Sequence, residues 1–188
     1  MCRHFMEDYG IQVRIARYHN IYGPYGTYDG GREKAPAALC RKVIKAKKDN
    51  DNKIEVWGDG EQTRNFSDID DCLYCLDKLI TSKEILSETF NIGPDEESIS
   101  INELYKMLCN KLQFNEPAQY VEDRPNEVKH AVCSSDKARK YLNYKTSVNL
   151  NDAIDKVINY IKIKGPKKFE YNYNLEIDNN ASEKVLKS

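Results

Sequence analysis

Four stretches of this sequence join loop-forming residues to charged and amide side chains. They are Arg17-Tyr18-His19-Asn20-Ile21-Tyr22-Gly23-Pro24, Gly30-Gly31-Arg32-Glu33-Lys34-Ala35-Pro36, Trp57-Gly58-Asp59-Gly60-Glu61-Gln62-Thr63-Arg64-Asn65-Phe66 and Arg124-Pro125-Asn126-Glu127-Val128. Loops at strand ends collect ligands in alternating folds, because the chain turns there and side chains converge on a crevice. Arg64 and Arg124 lie far apart in sequence, yet both carry the forked guanidinium that matches a diphosphate. Taken singly, each also reads as half of a surface ion pair. Lys34 follows a Gly-Gly turn and opens a helix, where the helix dipole disfavours a second positive charge beside Arg32. That placement suits a general acid/base working near neutral pH, whereas spacing alone favours an exposed lysine paired to Glu33.

Other chemistry-bearing patterns resolve differently. Cys72-x-x-Cys75 lies on an expected helix with no second Cys/His pair at zinc spacing, so it reads as core packing, and no metal site is expected. Tyr-x-x-x-Lys occurs at Tyr74/Lys78, Tyr141/Lys145 and Tyr160/Lys164, as chance dictates with 13 tyrosines in a lysine-rich chain. His4 reads as a surface residue and His130 as rim. His19, at a strand end, reads either as packed or as part of a site.

The elements that must position these residues follow from periodicity and punctuation. Met1 to Tyr9 is the end of a helix with Gly10 as its C-cap, and the alternation in Ile11 to Tyr18 predicts a strand. Glu33 to Lys48 is a helix with Pro36 in its first turn and Leu39, Val43 and Ala46 buried. Lys53 to Trp57 and Thr63 to Ser67 read as strands of a hairpin across Gly58-Asp59-Gly60-Glu61. Asp68 to Ser82 is a helix, Thr89 to Ile92 a strand, and Ser100-Ile101-Asn102-Glu103 a capping box for a helix to Leu112. A strand at Ala118 to Val121 and helices at Asp136 to Leu142 and Asn151 to Ile163 complete the order. Strands alternating with helices indicate an α/β protein. Residues 165–188, rich in Asn, Lys and Glu, read as a polar, mostly disordered tail, with an edge strand over 169–175 as the alternative.

Composition limits the partners. The 188 residues carry 29 Lys+Arg against 30 Asp+Glu, a net charge of −1, so no basic footprint for nucleic acid or an anionic membrane exists. With 40% hydrophobic and 31% charged residues the chain is globular, and no run approaches the roughly 20 apolar residues of a membrane span. No signal-peptide pattern follows Met1, so the six cysteines read as reduced thiols and the location as cytoplasmic.

The runs Arg17 to Pro24, Gly26-Thr27, Gly30 to Ala38, Cys40-Arg41-Lys42, Trp57 to Gly60 and Gln62-Thr63-Arg64 resemble the GDP-mannose 3,5-epimerase family. That family belongs to the extended short-chain dehydrogenase/reductases, which rebuild nucleotide sugars with a tightly held NAD. The resemblance is specific from Cys2 to Phe66 and only superfamily-wide from there to Ile163. It implies that residues 1–33 are the tail of a Rossmann-type NAD-binding domain, that 34–164 are mostly a small α/β substrate-binding domain, and that the chain is the C-terminal portion. It also implies Lys34 as the acid/base lysine. Asn20, Glu33, Lys34, Ala35, Lys42, Gln62, Thr63, Arg64 and Arg124 then hold the nucleotide-diphosphate sugar, and His19 lines the nicotinamide side. Arg124-Pro125-x-Glu127-Val128 is closer to the pattern of related 4-epimerases.

In such enzymes a Tyr and NAD oxidise C4, a Cys/Lys pair moves protons at C3 and C5, and the hydride returns. The glycine-rich turn and the Tyr-x-x-x-Lys that belong ahead of the first strand are not in this sequence, so the chain by itself is expected to be inactive. A homodimer or a complementing N-terminal half is the expected partner. A non-catalytic nucleotide-sugar binding module, or a UDP- or dTDP-sugar 4-epimerase or dehydratase, is the alternative.

Overall fold

Helix α1 (Cys2–Tyr9) stops at Gly10, which adopts φ 65° and returns its N–H to the Met6 carbonyl. A left-handed C-cap of this kind is cheap only without a Cβ. This computed structural model describes residues 1–30, 33–85, 87–94, 98–124 and 126–167. Gly31, Arg32, Pro125 and the expected tail from 168 onward, with its alternative edge strand, lie outside the described residues.

After α1 come β1 (Ile15–Tyr18), β2 (Ile21–Tyr22), α2 (Ala35–Asp49), β3 (Ile54–Trp57), β4 (Thr63–Arg64), β5 (Ser67–Asp68) and α3 (Ile69–Thr81). Then follow β6 (Thr89–Ile92), β7 (Ile99–Ser100), α4 (Ile101–Leu112), β8 (Ala118–Val121), β9 (His130–Ala131), α5 (Asp136–Leu142) and α6 (Leu150–Lys164). The first strand is shorter than its alternation suggests, because its partner β6 offers four residues, Thr89 to Ile92, in parallel register with Ile15 to Tyr18. β2 pairs with β5 and β3 with β8, both parallel. β4 lies between antiparallel β7 and parallel β9. Parallel pairs joined through helices make this an α/β chain.

The expected hairpin is not formed. β3 continues its pairing with β8 through Gly58, whose N–H reaches the Val121 carbonyl at 3.0 Å, and Gly58 takes φ 67°. A Cβ there would collide with the Asp123 carboxylate, and one at Gly60 (φ 75°) with the Asn102 amide. These close approaches carry the chain away from β3, and β4 finds β7 and β9 instead. Residues 63–67 are therefore two short strands with a break between them.

Two apolar clusters hold the elements. In the first, Leu39, Val43 and Ala46 of α2 pack with Ile54 and Val56 of β3, Leu104 and Leu108 of α4, and Ile154, Val157 and Ile161 of α6. Each of the Leu, Val and Ile side chains contributes about 1.5–3 kcal/mol on burial. In the second, Cys72, Cys75 and Leu79 of α3 meet Phe90 and Ile92 of β6 and Ala138 and Leu142 of α5. Burial pushes the Cys72 and Cys75 thiols up to about 12 and about 11, which suits packing rather than reactivity. Side chains cap the starts of α4 and α6: Ser100 and Glu103 form the reciprocal capping box of α4, and Asn149 accepts from the Asn151 N–H at the start of α6. No helix among the described residues is long and apolar enough to cross a membrane.

Candidate functional site

Three loops and the first turns of α2 close on a cavity of about 290 Å³. Glu33, Lys34, Ala35, Ala38, Leu39 and Lys42 line it from α2 and its approach; Glu55, Val56 and Trp57 from β3; Gln62, Arg64 and Phe66 from the stretch around β4. Asn20, Ile101, Arg124 and Glu127 complete the wall. The placement has local causes. Pro36 sits in the first turn of α2 at no hydrogen-bonding cost, and Lys34 is its N-cap residue, exposed and without a side-chain cap bond. Asn20 adopts φ 45°, a left-handed conformation that asparagine tolerates, and its carbonyl receives the Ser67 N–H at 3.1 Å.

The charged groups are organised in pairs. Glu33 bridges Arg41 at 3.0 Å, with side chains only 5% and 8% exposed, so the Glu33–Lys34 pairing weighed from spacing is not the one formed. Arg41 in turn donates through Nε to the Tyr28 carbonyl at 2.8 Å. Arg64 donates to Glu127 Oε1 at 2.6 Å and to the Thr63 and Lys129 carbonyls at 2.7 and 3.1 Å. The Arg124 guanidinium lies 5.2 Å from the centre of the Trp57 ring, a cation–π placement. Lys42 donates to the Glu55 carbonyl at 2.7 Å. Burial holds its ammonium below the usual lysine range; the neighbouring Arg41 and Arg124 push the same way, and Glu55 and Glu33 oppose.

Two acceptor oxygens on residues of this lining have nothing to accept from among the described residues. Glu33 Oε2 and Gln62 Oε1 are buried and have no hydrogen-bond partner among the described residues. Gln62 spends its amide N–H on the Trp57 carbonyl at 3.0 Å. A buried acceptor left unpaired costs roughly 1–3 kcal/mol, which a ligand carrying hydroxyl or N–H donors recovers.

Of the residues singled out from sequence, the fold therefore gathers Asn20, Glu33, Lys34, Ala35, Lys42, Gln62, Arg64 and Arg124 round one cavity. Thr63 is not in its lining; its hydroxyl lies 2.8 Å from His130 Nδ1. His19 is not in it either. Its Nε2 lies 3.2 Å from the Ala131 carbonyl, and its Cβ packs against Gly93, where any side chain would clash. Sequence reasoning gave Glu127, Glu55 and Phe66 no role in a site. Glu127 and Phe66 lie inside two of the four stretches singled out, whereas Glu55 lies in none of them. Phe66 also lines a second cavity of about 600 Å³, bounded by Ser98, Glu103, Met107, Thr146 and Asn149 among others.

The residues present do not form a dinucleotide cradle. β1 runs through His19 and Asn20 straight into β2, with no glycine-rich turn opening a helix among the described residues.

Residues 1–93 match the model of the NAD dependent epimerase/dehydratase family. GDP-mannose 3,5-epimerase of Arabidopsis thaliana is 37% identical over 154 residues, covering 82% of this chain and 39% of that protein. GDP-mannose 3,5-epimerase 1 of Oryza sativa subsp. indica is 34% identical over 186 residues, covering 99% of this chain and 47% of its own. The crystal structure of UDP-glucuronic acid 4-epimerase from Bacillus cereus, in complex with UDP-glucuronic acid and NAD, superposes with a TM-score of 0.73. It is 28% identical and matches 87% of this chain and 49% of that one. The chain thus spans less than half the length of the curated relatives it matches.

Proposed function

Through residues 1–93 the chain belongs to the NAD dependent epimerase/dehydratase family, and on that premise we propose that its cavity is the nucleotide-sugar site of an epimerase acting on a GDP-hexose such as GDP-mannose. The observation that carries this is the composition of one wall. Arg124 and Lys42 supply positive charge that no carboxylate in the lining answers directly, and Glu33 Oε2 and Gln62 Oε1 are buried acceptors without a donor among the described residues. A nucleotide sugar brings both complements, a diphosphate and a ring of hydroxyls.

Within that site Arg124 and Lys42 hold the diphosphate. Glu33 and Gln62 accept from sugar hydroxyls, and Asn20 lines the wall beside them. Lys34, exposed at the start of α2, moves a proton at the sugar carbon next to the oxidised centre. The oxidation at C4 that would make those C–H bonds acidic would have to come from NAD held outside these residues, because they form no dinucleotide cradle. His19, engaged with the Ala131 carbonyl, orients the wall at the end of β1. The cytoplasm and a homodimer or complementing partner chain remain part of the same proposal.

Calorimetric titration of the 188-residue chain with GDP-mannose tests it. Binding that R124A and K42M each weaken about ten-fold or more is expected, with no turnover of the sugar by the chain alone. Absence of binding, or binding indifferent to both substitutions, would sink it. The Arg124–Glu127 motif favours one rival, a UDP-sugar 4-epimerase. Tighter binding of UDP-glucose than of GDP-mannose would select that rival.

A further inference from the structure

Resting on the nucleotide-sugar assignment above, we propose that Glu127 is a specificity-determining residue that limits how much negative charge the cavity accepts. It favours a diphosphate esterified at both ends over one that ends in a free phosphate. The geometry at Arg64 points to it. That guanidinium donates to two backbone carbonyls and to Glu127 Oε1 at 2.6 Å, so its charge is answered inside the wall before a ligand arrives. The two side chains are 15% and 23% exposed, so water screens the pair weakly.

A single turn sets the arrangement. The Glu127 N–H reaches the Arg124 carbonyl at 3.2 Å, and Asn126 takes φ 59°. The turn lays the Arg124 cation on Trp57 and the Glu127 carboxylate on Arg64. The buried Arg41 is likewise answered by Glu33. What remains for an incoming anion is Lys34, Lys42 and Arg124 set against the Glu55 carboxylate in the same lining, a net of two positive charges that suits the two charges of a doubly esterified diphosphate. A terminal diphosphate carries nearly one charge more at neutral pH, since its last ionisation falls near pH 6. With Glu127 ionised, nothing in the wall matches that extra charge.

The test is calorimetry on the 188-residue chain and its Glu127→Gln variant, with GDP-mannose and with GDP as probes. Glutamine keeps a partner for the Arg64 guanidinium and removes only the charge. The ratio of GDP to GDP-mannose affinity should rise on the order of ten-fold in the variant, the effect of one charge about 10 Å away at an effective dielectric near 20. Glu127→Asp, which keeps the charge, should retain the original ratio, and circular dichroism confirms that both variants fold. An unchanged ratio with both ligands still bound overturns the role of Glu127 and leaves the site assignment standing. A selective loss of GDP-mannose binding overturns it too, because Glu127 would then be holding a ligand hydroxyl. If the unaltered chain binds neither probe, the site assignment falls and takes this role with it.

Discussion

At the residue scale, Lys42 links ligand binding and folding to pH in opposite directions. Its folded-state pKa lies below 10.5 because burial penalises the ammonium, so the unfolded chain binds that proton more tightly. Stability therefore rises with pH across the window between the depressed value and 10.5. Affinity for an anion held by Lys42 falls as pH climbs through the depressed value. Thermal unfolding and calorimetry at matched pH should show the two trends diverging, and K42M should flatten both. A parallel rise or fall of the two would refute the assignment. Asp68 shows the same linkage on a carboxylate. It is 1% exposed, its Oδ2 has no partner among the described residues, and burial pushes its pKa up against the Asp70 N–H bond and the Lys156 charge. The folded state holds this proton more tightly, so the associated stability is full below 3.8 and is lost as pH rises through the folded value.

Elements separate what was legible from what was not. Asp68 caps α3 by accepting the Asp70 N–H at 2.8 Å, so Asp68→Asn should keep the cap and lose the pH dependence, whereas Asp68→Ala should cost about 1 kcal/mol in urea denaturation. Equal stability of the two variants would contradict that division. Helices announced themselves because their signals are local: Gly10 ends α1, Pro36 starts α2, and the Ser100–Glu103 box starts α4. β2, β4, β5, β7 and β9 have two residues each, and two residues have no period to read. Such strands exist only through their partners, which lie far away in sequence. The same cause produced the mistaken hairpin, since turn residues at 58–61 say where the chain bends but not what it meets next. The cavity residues from Asn20 to Arg124 were legible through motif resemblance. Spacing alone left Lys34 and the arginines undecided, and it did not pair Arg64 with Glu127.

Across the whole molecule, a net charge of −1 conceals a local excess of cations round one hollow. That hollow and the larger one share a side chain. Phe66, 9% exposed and part of the first apolar cluster, faces both. Phe66→Ala should cost about 3–5 kcal/mol in urea denaturation, and Phe66→Leu distinctly less. A cost below about 1 kcal/mol would show that the ring bears no load. The Phe66 ring is thus a lining residue common to both chambers. A side chain that lines two hollows answers to both, so the room a ligand finds in the smaller one depends on how the larger one packs the same ring.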